Sequence, residues 1–242
     1  MNEQEFNDAL KNGRGYDLLV NHCNKLTEEQ IKKAFEKALE RGWGGYDLLK
    51  DCYDKLTEQQ IKKAFEKALE RGYGYPLLKS CYDKLTPEQR QVAIKNALKN
   101  GGGCDLFAYC YEKLTPEQRQ EAIKNALKNG DGGRLLAFCY EKLTEQQIKK
   151  AFKNALKSNW GYFLLKSCYD KLTPEQIKKA IENALECGYG YDLLAFCHDN
   201  LTPEQRQEAI KKALERGYRD LLLKYHRDKL TPEEINFIED NK

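Results

Sequence analysis

Residues 57–72 read TEQQIKKAFEKALERG. Ile61, Ala64, Phe65, Ala68 and Leu69 follow the i, i+3, i+4, i+7, i+8 spacing of one buried helix face. Thr57 is suited to the N-cap, and Gln60, three residues on, completes a capping box. Gly72 follows the last turn, where a left-handed residue ends a helix. The segment before it, residues 46–56, reads YDLLKDCYDKL. Leu48, Leu49, Cys52, Tyr53 and Leu56 form one apolar stripe, so a shorter helix runs into the next Leu-Thr with almost no loop.

This pair of helices recurs. The threonines of Leu-Thr fall at Thr27, Thr57, Thr86, Thr115, Thr144, Thr173, Thr202 and Thr231, spaced by 30 once and by 29 thereafter. The extra residue is local: Trp43-Gly44-Gly45-Tyr46 stands where the next repeat has Tyr73-Gly74-Tyr75. Five repeats place proline just after the threonine, at the first helical position, where a missing N–H costs nothing. The stop position is Gly13, Gly42, Gly72, Gly101, Gly130, Asn159, Gly188 and Gly217. Neither helix can bury its stripe alone, and stacking neighbours can. The predicted fold is therefore all-α: an α-solenoid of 29-residue helix-turn-helix repeats. It is expected to be one continuous array over residues 1–242, with truncated end helices in caps at 1–15 and 231–242.

Of the 242 residues, 40% are hydrophobic and 33% charged, which excludes a collagen-like or disordered chain. Basic and acidic residues number 41 and 38, so a net charge of +3 does not force a nucleic-acid or membrane partner. No apolar run approaches the ~18 residues of a membrane span. The start MNEQEFNDAL is too polar for a secretory signal. A cytoplasmic or otherwise intracellular, reducing location is expected, since free thiols recur.

Six of the nine cysteines share one register: Cys52, Cys81, Cys110, Cys139, Cys168 and Cys197, with His22 and His226 in the end repeats. A Cys/His set invites zinc. Equivalent positions in stacked helices lie ~8–10 Å apart, however, too far for a disulfide or for convergence on a metal. These cysteines read as small buried apolar residues, and no metal or cofactor is expected. Cys187, off-register, is expected to be exposed. No nucleophile recurs with a histidine and an acid, and phosphate-loop patterns are absent. The reading is non-enzymatic, with no small-molecule substrate. The Asp-Lys and Glu-Lys pairs before each Leu-Thr read as solvated surface.

Where repeats differ is more informative. The residue past the stop position is Arg14, Trp43, Tyr73, Gly102, Asp131, Trp160, Tyr189 and Tyr218, followed by glycine in all but the last repeat, where Arg219 stands. A side chain flanked by glycines suggests a projecting tip. Aligned tips would form a recognition strip with rigid aromatic anchors, unless the rings fold back on neighbouring loops. Within the short helix, Ala108-Tyr109, Ala137-Phe138 and Ala195-Phe196 alternate with Lys79-Ser80 and Lys166-Ser167. That covariation is expected to be packing between neighbours, since a large ring needs a small companion. The expected partner is a protein or peptide. Residues 114–133, LTPEQRQEAIKNALKNGDGG, supply an alternative, because they resemble the repeats of TAL effectors. In that family a two-residue loop before glycines reads one DNA base per repeat. The resemblance implies that Gly130-Asp131 and Asn159-Trp160 occupy the variable pair, with Asp131 and Trp160 facing bases. The period here is shorter than in that family, and most variable positions are aromatic.

Overall fold

The computed structural model describes residues 2–41 and 44–241. Trp43, one of the eight loop-tip positions, lies outside the described residues, as does Gly42. In chain order the first helices are α1 (Glu3–Lys11), α2 (Gly15–His22), α3 (Glu28–Leu39), α4 (Gly44–Asp51), α5 (Glu58–Glu70), α6 (Gly74–Ser80), α7 (Pro87–Lys99) and α8 (Gly103–Tyr109). They are followed by α9 (Pro116–Lys128), α10 (Gly132–Cys139), α11 (Glu145–Lys157), α12 (Gly161–Cys168), α13 (Pro174–Glu186), α14 (Gly190–Cys197), α15 (Pro203–Glu215), α16 (Arg219–Tyr225) and α17 (Pro232–Asp240). No strand occurs among the described residues. Within each unit the odd-numbered helices form a row of long helices and the even-numbered helices a row of short ones. The protein is an all-α solenoid of helix-turn-helix repeats. By contacts it divides into two compact units, the first ending at Asn125 and the second beginning at Ala126, within α9.

Local chemistry sets each element. Gln60 donates its backbone N–H to Thr57 Oγ1 at 3.3 Å, and Thr57 donates its own N–H to Gln60 Oε1 at 2.9 Å. The same box opens α3, α7, α9, α11, α13 and α15, and Glu234 serves Thr231 at α17. Even α1 carries a box, between Asn2 and Glu5. At the stop position Gly130 has φ +81°, and Asn159 alone among the described non-glycines has positive φ, at 60°. Each short helix but the last ends in a 3-10 turn such as Tyr53–Lys55, which tightens the chain before Leu-Thr.

The glycine after each tip has a different cause. A Cβ on Gly161 would stand 2.5 Å from the Ala180 carbonyl oxygen of the next long helix. The short helix thus begins against its neighbour's backbone, and only glycine fits. In the longer loop it is a Cβ on Gly45 that would run into the Ala64 carbonyl oxygen, so Gly44 is the inserted residue. In the last repeat Arg219 stands in place of the glycine, against α17, which stops at Asp240. Arg219 Nε and Nη2 donate to the carbonyls of Ile238 and Glu239, at 3.0 and 2.8 Å, and cap that truncated helix.

The core lies between the rows. Leu48 and Leu49, Leu77 and Leu78, Leu164 and Leu165, and Leu193 and Leu194 are all buried, facing the Ala-Phe or Ala-Ile pairs of the long helices. The six in-register cysteines are buried beside them. Burial pushes the thiols of Cys52, Cys81 and Cys168 up to about 11. Cys187 is half-buried rather than exposed, because Arg216 Nη2 reaches over to its carbonyl at 2.6 Å.

Candidate recognition surface

Arg14, Tyr73, Gly102, Asp131, Trp160, Tyr189 and Tyr218 are the N-cap residues of their short helices. Arg14 is exposed and the other six are half-buried. The rings fold back toward helix starts. Tyr189 stacks on Tyr162 of the preceding repeat with centroids 5.6 Å apart, and Tyr218 lies 5.2 Å from Tyr191. In the first unit Tyr73 meets Tyr46 edge-on at 6.3 Å. Trp160 follows the same logic: it lies over Gly133, whose Cβ would meet the indole Cε3 at 2.8 Å, and its edge contacts Phe163. A glycine at this helix start thus makes room for the larger ring. Asp131 is held at 3.5 Å by Arg134.

The most exposed rings stand elsewhere. Tyr109, Phe138, Phe196 and Tyr225 show 53–57% of their surface. They occupy the position expected to be packing. The companion alanines, Ala108 and Ala195, are indeed half-buried, yet the rings project. In four repeats this position meets the helix start of the repeat before it. Tyr16 donates its hydroxyl to Asp51 at 2.7 Å, and Tyr46 donates to Ser80 at 3.0 Å. Where the position is aromatic, the contact becomes ring on ring: Tyr75 with Tyr109 at 6.1 Å, Tyr162 with Phe196 at 6.0 Å. A lysine of the preceding repeat lies over the exposed ring, Lys79 Nζ over Tyr109 and Lys166 Nζ over Phe196, each 4.5 Å from the centroid. Burial pushes the Tyr162 hydroxyl up to about 12 and raises the Asp192 carboxyl. The sequence signal was present: a large ring at a register that holds Asp51, Ser80 or Ser167 in other repeats is a ring at a polar surface position.

Two further sets of residues escaped the sequence reading. In four long helices an asparagine reaches the preceding repeat. Asn154 Nδ2 donates to Leu127 O at 2.7 Å while its Oδ1 accepts the Gly132 N–H at 3.0 Å. Asn96, Asn125 and Asn183 make the same two bonds. The lysines before Leu-Thr are not merely solvated either. Lys55 Nζ donates to Leu19 O and Val20 O, and Lys84 Nζ to Lys50 O, tying the carbonyl end of one short helix to the following repeat.

No family model, curated protein or solved structure matches this chain. Among the described residues no group of three or more His, Cys, Asp or Glu is placed to hold a metal ion. No helix there is long and apolar enough to cross a membrane.

Proposed function

We propose that the protein is a non-enzymatic binding scaffold for a protein or peptide, held along the outer edge of its short helices. The observation that carries this reading is the pair of projecting rings at one register of successive short helices in the second unit, Phe196 on α14 and Tyr225 on α16. Aligned exposed aromatics on a soluble surface mark interaction sites, because each ring buries much area at little entropic cost. The loop tips take the supporting role: Tyr189 and Tyr218 hold the helix-start rings from behind. Thiols pushed upward by burial are poor nucleophiles, which favours binding over catalysis. Base reading by Asp131 and Trp160 draws less support, since Arg134 and Phe163 already engage them.

The test starts from peptides selected on the immobilised full chain from a random library. Phe196→Ala with Tyr225→Ala should weaken the selected peptide about 10-fold or more without moving the thermal melt. Tyr189→Ala with Tyr218→Ala should lower the melt and the affinity together. Full affinity in the first double variant overturns the assignment.

A further inference from the structure

The long helices carry a second surface of different chemistry. Four residues apart on each of three successive long helices stand two lysines: Lys95 and Lys99 on α7, Lys124 and Lys128 on α9, Lys153 and Lys157 on α11. All six are exposed, and among the described residues none is seen in an ion pair. The helices on either side reverse the sign at the same two registers. They carry Glu36 and Glu40, Glu66 and Glu70, and Glu182 and Glu186. There the charges cancel locally, as Lys67 with Glu70 at 2.8 Å. Within the first unit, Asn125 bonds Leu98 O and sets Lys124 on the helix beside Lys95 and Lys99. Within the second, Asn154 bonds Leu127 O and sets Lys153 and Lys157 on the helix beside Lys128.

We propose that Lys95, Lys99 and Lys124 of the first unit, and separately Lys128, Lys153 and Lys157 of the second, hold the phosphate backbone of a duplex nucleic acid. Three features point there. Lysine is a strongly hydrated point charge that suits phosphate, and its affinity comes from counterion release without a shaped pocket. The face offers almost no apolar anchor: apart from Val92, the exposed large apolar side chains lie on the short helices. An acidic peptide would need such anchors. A single strand would need aromatic platforms for its bases, and those too lie on the other row. A duplex keeps its bases stacked inside and lines its outer ridges with phosphates, which matches a surface of lysines. Glu121 on α9 is the one acid in the same stretch of that helix.

The experiment is fluorescence anisotropy of the full chain with a short labelled DNA duplex, titrated between about 50 and 200 mM salt. The variant is Lys124→Glu with Lys128→Glu, which installs side chains that α5 and α13 already accept at these positions. Affinity should fall about 10-fold or more at low salt. The slope of log affinity against log salt should shrink by about 1 for each unit's site, since each unit loses one lysine and each phosphate contact contributes ~0.9. Lys153→Gln with Lys157→Gln should act in the same direction with no charge reversal. Helix content measured on each variant separates lost binding from lost fold. No duplex binding by the unaltered chain, an unchanged slope in both variants, or tighter binding of a single strand or of polyglutamate than of the duplex would each overturn the proposal.

Discussion

Four long helices carry asparagine and three carry lysine at one and the same register, and the two kinds of repeat are held differently. Asn96, Asn125, Asn154 and Asn183 each bridge to two backbone groups of the repeat before. Lys37, Lys67 and Lys212 instead pair with Glu40, Glu70 and Glu215 three residues on in their own helices. A neutral amide that satisfies one buried carbonyl and one N–H couples neighbours, whereas an exposed ion pair contributes little. Variation between repeats therefore has two meanings. Some of it changes what the surface offers, and some changes how firmly one repeat is bolted to the next.

The harshest way to break this arrangement is to add bulk where α12 starts against α13. Gly161→Val should destabilise the second unit by about 3 kcal/mol, because the obstructing atom is a backbone oxygen that cannot swing away. A urea melt with an unchanged midpoint would contradict the close approach. The comparison itself is sharpened by removing one member of each class. Asn154→Ala should cost about 2 kcal/mol, through two lost bonds and the N–H of buried Gly132 left bare. Lys67→Ala should cost no more than about 0.5 kcal/mol, as an exposed pair does. Hydrogen exchange at the Gly132 amide reads the first effect directly.

Smaller again is the stop position. Gly130→Ala should cost about 1 kcal/mol through left-handed strain, while Asn159→Gly should change stability by only a few tenths. Equal melts for both variants would refute that difference. The weakest expected effect is confined to the C-terminal repeat. His226 stands in the cysteine register with neither ring nitrogen bonded, its ring against Tyr191 at 5.2 Å. Burial holds its pKa below the ordinary 6.5, Lys229 and His198 push the same way, and Asp228 opposes them. The folded state favours the neutral ring. Its stability is therefore complete above pH 6.5 and declines as pH falls from there toward the lowered folded value. Exchange protection in α16 and α17 should drop between neutral and mildly acidic pH, and His226→Cys should abolish the drop.

The periodic positions carried the helices. Thr57 with Gln60, Gly72, and the Ile61 to Leu69 stripe act within one turn or one helix, so their meaning is fixed by chain-local geometry. The same locality placed the in-register cysteines in the core, next to leucines of their own helix. The loop tips were legible only in part. Their flanking glycines suggested projection, but one glycine serves a backbone contact with the next long helix, which presses the tip ring onto its neighbour. That contact spans two repeats and leaves no mark in a single one.

By itself the sequence determined the class of fold, the register of the repeat, the caps and the buried stripe, because these follow from neighbours within a few residues. The tertiary structure alone decided which rings face outward and which are held. It also decided that Asn154 bonds residues 27 and 22 positions before it, and that Tyr162 lies under Phe196 of the following repeat. The physical reason is that these contacts depend on how one repeat is rotated and translated against the next. That offset is set by the packing of whole helix faces, not by any one residue in the chain.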